Sequence, residues 1–480
     1  MSVSTPWSVA AMTAAMGAEC TGPLPEFVTG ISIDSRTIQR GEAFFAIEGD
    51  ARDGHDFVAA ALAAGAGLAV VARGKRDIMP ANAPLMVVPD VLAALTDLAQ
   101  ASRARSNARI VAVTGSVGKT GTKEALRLAL GQCGVTHASV ASYNNHWGVP
   151  LSVARMPANT QFAVFEIGMN HAGEITPLTR LVRPHVAVVT AVEPVHLEYF
   201  GSLEAIADAK AEIFLGLEPG GAAIINRDNS QYERLKRAAA SAGARIVSFG
   251  EHAEADARVL KMSLHAQSSG VEARILGAEL TYKLGAPGRH VVLNSLAVLA
   301  AASLAGADLA LAGLALAGLE PPTGRGQRIA LSLTGGGSAL LIDESYNANP
   351  ASMRAALALL GQAHIGSDGR RIAVLGDMLE LGEASAELHR GLVEPVLANG
   401  IDLVFCAGPL MKALWDALPS ERRGGYAESA AALEAQVVGT IADGDAMMVK
   451  GSLGSKMGPI VKALTRRYRR RTPEEASAQG

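Results

Sequence analysis

Thr114-Gly-Ser-Val-Gly-Lys-Thr120 follows the apolar run Ile110-Val-Ala-Val113 directly and precedes a helical run over 123–130. A buried strand, a glycine turn ending in Lys-Thr and a helix together form the setting of a phosphate-binding loop. Its glycines let backbone N–H groups turn inward around phosphate oxygens, and the helix behind points its positive end at them. Lys119 then reaches the terminal phosphates and the Thr120 hydroxyl meets Mg²⁺. The general pattern places a glycine where this chain has Val113. Here the first glycine is Gly115, so the loop is a shortened variant. Thr114, Gly115, Ser116, Val117, Gly118, Lys119 and Thr120 are all expected to touch a nucleoside triphosphate.

Working outward, the short apolar runs 162–165, 186–190 and 222–226 alternate with helical stretches, as in a parallel sheet covered on both faces. Alternating runs over 259–284 suggest a small antiparallel addition. Upstream, 31–36, 43–47 and 67–72 read as strands and 55–64 as a helix, and the polar stretch 102–107 places a boundary near residue 106. Downstream, Pro321-Pro-Thr-Gly-Arg-Gly326 punctuates the chain a second time. Beyond it the α/β rhythm resumes, with a hairpin turning at 335–337, strands at 339–342, 372–375, 403–405 and 446–449, and a helix from Pro350. The expected architecture is α/β in three domains. A smaller mixed N-terminal domain spans 1–106, a central P-loop parallel-sheet ATPase domain spans 107–324, and a Rossmann-like C-terminal domain spans 325–480.

Composition agrees with that partition. At roughly 150 residues per domain, 480 residues make about three domains. A net charge of −3 with 49% hydrophobic residues excludes a disordered chain and a globally basic nucleic-acid binder. Cys20, Cys133 and Cys406 lie far apart without a CxxC spacing, which argues against a disulfide framework and for a reducing cytoplasm. The first twenty residues carry no Lys or Arg, so a secretory signal lacks its positive start. The most apolar stretch, 296–319, is interrupted by Ser303 and Asp308 and reads as two packed Ala-rich helices rather than a membrane span. The charged end from Arg466 reads as a solvated helix end and tail.

Around the loop, Glu166 closes the 162–165 strand at its carboxyl end, where ligands of open parallel sheets gather and a carboxylate can hold Mg²⁺. On local grounds it could equally cap a helix. His196, in Val192-Glu-Pro-Val-His-Leu-Glu198, occupies a second strand-end loop, although a lone histidine is more often structural. Lys210, in Ala207-Asp-Ala-Lys-Ala-Glu212, reads locally as an ordinary exposed helical lysine.

In order and spacing, the loop, the Glu166 strand end, the His196 loop and Ala209-Lys-Ala-Glu-Ile213 resemble the Mur ligases, ATP-dependent amino-acid ligases of peptidoglycan synthesis. The resemblance runs over essentially the whole chain. Further words narrow it: Asn144-Asn-His-Trp-Gly-Val-Pro150, Asp343-Glu-Ser-Tyr-Asn-Ala-Asn-Pro350, Gly376-Asp-Met-Leu-Glu-Leu-Gly382 and Val449-Lys-Gly-Ser452. They are similar to the branch that adds D-alanyl-D-alanine to UDP-N-acetylmuramoyl-tripeptide. The Asp-Asn-Pro-Arg word of the branches adding lysine or meso-diaminopimelate is absent.

The resemblance implies roles position by position. Thr120, Glu166 and His196 would serve two magnesium ions, and Lys119, His196 and Lys210 would be catalytic. Lys210 would be carbamylated by CO₂, which overrides its solvated reading. Asn294 would contact adenine, and Arg325 and Asp343 would hold phosphate and ribose. Ser35, Arg36 and Asp56 would embrace the uridine nucleotide. Asn144, Asn145, Tyr346, Asn347, Asn349 and Lys450 would line the peptide substrates. Arg328 rivals Arg325, because Thr323-Gly-Arg325-Gly-Gln-Arg328 departs from the family's Pro-Gly-Arg. Local readings stay open beside these: Asp34 and Asp343 as strand-end caps, Asn294 as a helix cap or first-turn residue, and 346–349 as a turn before Pro350. The expected partners are small molecules, with no nucleic acid, no membrane insertion and a monomeric state. Another amine substrate within the family, or a nucleotide-binding protein without ligase activity, are the alternatives.

Overall fold

Seven mutually parallel strands carry the middle of the chain. From one edge they run Thr136–Ala138, Phe162–Glu166, Arg109–Thr114, Val186–Val189, Ala222–Asn226, Arg245–Gly250 and Ala257–Leu264. The antiparallel strands Ser269–Ile275 and Ala278–Leu284 extend the sheet to nine, which is the addition expected over 259–284. The computed structural model describes residues 7–49, 52–140, 143–195, 197–265, 267–333 and 336–468.

The near-unbroken apolar runs follow from burial on both faces. Ile110, Ala112, Ala163 and Phe165 point into one core, and Val111, Val113 and Val164 into the other. The second core is closed by helix Arg289–Leu304 and helix Leu309–Ala315, which Asp308 caps by accepting from Leu311 N. These are the two Ala-rich helices anticipated over 296–319. Among the described residues no helix is long and apolar enough to cross a membrane.

A five-stranded N-terminal sheet has the order Glu19–Thr21, Leu85–Val88, Leu68–Ala72, Ala43–Phe45, Ile31–Ser32. The strand expected over 31–36 stops at Ser32, because the Asp34 carboxylate accepts from the Arg36 backbone N–H and turns the chain. The C-terminal sheet has six strands, ordered Gln327–Ser332, Ser338–Glu344, Ala446–Lys450, Arg371–Gly376, Leu403–Ala407, Arg423–Ala427. Only the first pair is antiparallel. Gly335, in the expected hairpin turn, and the tail from residue 469 lie outside the described residues.

How the sheets join differs at the two ends. The N-terminal sheet shares one continuous core with the central sheet, running from Trp7, Val28 and Phe45 to Phe165 and Ile225. Trp7 Nε1 donates to Ala154 O at 3.0 Å, and Arg105 stacks 3.5 Å over its ring. Arg103, in the last turn of helix Val91–Ala104, is buried and donates to Val182 O, Arg183 O, Ser106 O and Glu218 Oε1. The C-terminal sheet instead has two cores of its own, one on each face.

Removing Arg103 would strand three main-chain carbonyls and half of the Glu218 pairing. Arg103→Ala is therefore expected to destabilise the protein by about 3 kcal/mol. Urea unfolding followed by circular dichroism measures this, and an unchanged midpoint would refute it.

Candidate active site

The phosphate loop takes its shape from two left-handed glycines. Gly115 has φ +149°, and a Cβ there would sit 2.0 Å from Thr190 Oγ1. Gly118 has φ +83°, and its Cβ would sit 2.6 Å from Asn294 Nδ2. Neither position accepts a side chain. Neighbouring strand ends hold the loop in place. Ser116 N donates to Ala191 O, Ser116 Oγ donates to Glu193 O and accepts from Glu193 N, and Thr190 Oγ1 donates to Val117 O.

Lys119 opens helix Lys119–Gly131 and curls back so that Nζ donates to Gly115 O at 2.6 Å and Ser116 O at 3.4 Å. Burial pushes its pKa down, Arg325 pushes it the same way, and Glu166 opposes them. This cation is held where an anionic ligand would stabilise it.

Glu166 ends its strand, only 1% exposed. Oε1 accepts from Asn144 Nδ2 at 2.7 Å, and Oε2 is buried with no partner among the described residues. Thr120 Oγ1 is likewise buried without a partner. Two orphaned hard oxygen donors in a nucleotide site fit Mg²⁺, which takes one or two protein ligands and fills its octahedron with phosphate oxygens and water. Among the described residues no three His, Cys, Asp or Glu side chains form a metal cage.

Lys210 corrects the local sequence reading. It sits in the last turn of helix Leu203–Ala211 and is 2% exposed, because Ile206, Ala207, Ala209 and Ala211 around it are also buried. Burial first, and repulsion from Lys119 second, drive its pKa well below that of an ordinary lysine. His196 lies outside the described residues.

Lys119, Thr120 and Glu166 line a cleft of about 560 Å³ between the central and C-terminal sheets, a size suited to a small-molecule ligand, whereas Lys210 is not part of its lining. The central wall carries the loop from Ser116, with Asn144, Glu166, Glu193 and Asn294. Asn294 sits beyond the first turn of its helix, whose cap is Gly288, so it is free of the capping role. The opposite wall carries Arg325, Glu344, Tyr346, Asn347, Asn349 and Lys450. Arg325 lies 4.4 Å over the Tyr346 ring, while Arg328 lines a different cavity and leaves the cleft to Arg325. Lys450 is buried and donates to Glu344 Oε2 and Asn347 O, each at 3.0 Å. Asn349 caps helix Pro350–Gly361 in a reciprocal box with Ser352, where its local reading is a turn before Pro350.

Several expected residues are placed elsewhere. Asp343 is buried outside the cleft wall, its Oδ1 accepting from Ser345 N and Oγ as in the strand-end reading. Asn145 Oδ1 accepts from Gly148 N at the start of helix Gly148–Ala154. Ser35 and Arg36, in a turn after strand Ile31–Ser32, and Asp56, in the 3-10 turn Gly54–Phe57, belong to the N-terminal sheet's connections and do not line this cleft. Arg36 is exposed and paired to Asp34 at 2.7 Å. Glu193 and Glu344 were not anticipated. Both stood inside words already singled out, and their signal was position at or just past a strand end. Burial raises the pKa of Glu193, with Arg354 opposing.

Comparison with known proteins bears on this arrangement. The Mur ligase family, catalytic domain model matches residues 27–103, the Mur ligase middle domain 113–302, and the Mur ligase, glutamate ligase domain 324–453. The UDP-N-acetylmuramoyl-tripeptide–D-alanyl-D-alanine ligase of Rickettsia prowazekii is 31% identical over 95% of this chain and 99% of its own. That of Escherichia coli is 35% identical over 90% and 93%. A crystal structure of MurF from Acinetobacter baumannii superposes with a TM-score of 0.83 at 29% identity, covering 97% of this chain and all of that one. These relatives make the chain an ATP-dependent peptide ligase. The chain belongs to the Mur ligase family, on the MurF branch.

Proposed function

We infer that this protein joins D-alanyl-D-alanine to UDP-N-acetylmuramoyl-tripeptide using ATP, giving the pentapeptide precursor of peptidoglycan. One observation carries the reading. A phosphate loop with an orphaned Glu166 oxygen faces, across one cleft, a wall of Tyr346, Asn347 and Lys450.

A carboxylate resists an amine because its leaving group would be oxide. The tripeptide's terminal carboxylate oxygen therefore attacks the γ-phosphorus, the bond from that phosphorus to the β,γ-bridging oxygen breaks, ADP leaves, and the carboxylate becomes an acyl phosphate. The neutral amine of the dipeptide attacks that carbonyl carbon, the carbon–oxygen bond to phosphate breaks, inorganic phosphate leaves, and the new amide gives up one proton. Lys119 offsets charge on the transferring oxygens, and Arg325 approaches them from the facing wall. Magnesium would be held by Thr120 and Glu166, with a second ion served by His196 and Lys210. When bound it draws electron density from the phosphoryl oxygens and lets two anions approach. A carbamate on Lys210 would supply the negative charge a second cation needs, and a buried neutral amine is the form that reacts with CO₂. Asn294 faces the base. Ser35, Arg36 and Asp56 hold the uridine nucleotide on the N-terminal domain, 1–106. Residues 107–324 bind ATP, and 325–480 bring the dipeptide. The protein acts as a monomer in the cytoplasm, where its nucleotide substrates are made.

Phosphate release with UDP-N-acetylmuramoyl-tripeptide, varying only the amine, tests this. Release is expected with D-alanyl-D-alanine and not with D-alanine, L-lysine, meso-diaminopimelate or glutamate. Release with another of these would move the enzyme within its family. Tight nucleotide binding with no release for any amine would end the ligase reading.

A further inference from the structure

Asn144, on the cleft wall, spends an amide N–H on the Glu166 carboxylate. We propose that it is the positioning residue of the magnesium site, holding Glu166 by one oxygen so that the other faces the metal. The proposal rests on the reading of Glu166 as a magnesium ligand.

Nδ2 of Asn144 donates to Glu166 Oε1 at 2.7 Å, and Glu166 is almost wholly buried. The hydrogen bond to Oε1 favours one orientation of the carboxylate, and Oε2 is left buried without a partner among the described residues. A buried carboxylate oxygen in that state costs free energy until a ligand satisfies it. An amide suits this task better than a lysine or arginine would. It donates a hydrogen bond yet carries no charge, so the whole negative charge of Glu166 stays available to the cation.

Asn144 is itself fixed by its backbone. Gly168 N, two residues beyond Glu166, donates to Asn144 O at 2.8 Å. A Cβ on Gly168 would stand 3.0 Å from the Asn144 side chain, so the glycine is what lets the two segments approach. On the other side, Asn145 Oδ1 accepts from Gly148 N at 2.9 Å and ties the same segment to the start of helix Gly148–Ala154. The amide is thus aimed from a rigid support.

The test is Mg²⁺-dependent binding of a non-hydrolysable ATP analogue, followed by calorimetry. Asn144→Leu, which keeps the shape and removes the donor, is expected to raise the Mg²⁺ midpoint about 10- to 100-fold. Metal-free ADP affinity should be retained, and so should the KM for UDP-N-acetylmuramoyl-tripeptide at saturating Mg²⁺. Gly168→Ala is the second variant, crowding Asn144 without touching Glu166 chemically, and should shift the midpoint the same way. An unchanged Mg²⁺ midpoint in both variants overturns the proposal, and a raised tripeptide KM alongside it would return Asn144 to the substrate. If binding to the unaltered protein ignores Mg²⁺ altogether, the metal reading of Glu166 falls and takes this proposal with it.

Discussion

Lys119→Ala should release phosphate about a thousandfold more slowly than the unaltered enzyme, with no loss of stability. The rate follows from position. Lys119 is pinned to Gly115 O and Ser116 O inside the loop, so its charge stands ready where phosphoryl oxygens gain charge, with no reorganisation at the moment of transfer. The stability follows from the sign of the pKa shift. Its folded-state pKa is lowered, so the fold holds this ammonium less well than water does, and the deficit persists at every pH below the unfolded value. Deleting the charge should leave the unfolding midpoint level or raise it. Single-turnover phosphate release and a thermal melt on the same preparation decide the matter. A slow enzyme that also melts early would mean that Lys119 mainly braces the loop.

Lys210→Ala should cost roughly 100- to 1,000-fold in turnover, and the unaltered enzyme should respond to CO₂. Only the neutral amine takes up CO₂. Burial and Lys119 together lower the Lys210 pKa well below that of an ordinary lysine, so the reactive form persists to lower pH than usual. Carbamate is lost as pH falls through that lowered value, and activity in CO₂-depleted buffer should fall with it. Incubation with ¹³C-bicarbonate should give a carbamate carbon signal that Lys210→Ala lacks. An inactive variant without that signal in the parent would mean that the lysine acts as a cation.

What the sequence made legible was the machinery built on local patterns. Apolar runs buried on both faces announce a parallel sheet, and the Gly115–Gly118 turn announces its ligand, because both follow from a few adjacent residues. Arg423–Ala427 was missed because this edge strand reads Arg-Gly-Gly-Tyr-Ala and carries no apolar run. Lys210 misled for the opposite reason. Its neighbours are alanines, which suit a solvated helix and a crowded interior equally, and only tertiary packing chose between them. The pairing of Asn144 with Glu166 spans 22 residues and two strand ends, and no local pattern encodes it. Arg325 and Arg328 stand in one short word, and the direction in which each side chain leaves the chain separates them.

The unequal joints between the sheets bear on how this chain can be cut. A break in the irregular segment between Gly318 and Gln327 would leave two pieces, each with its own interior intact. A break near residue 106 would instead split a single interior, baring Trp7, Val28 and Leu98 on one fragment and Phe165 and Leu178 on the other. Expression of the N-terminal sheet by itself would therefore yield a sticky, insoluble product. The first two modules are best produced as one piece, with the third as a separable partner.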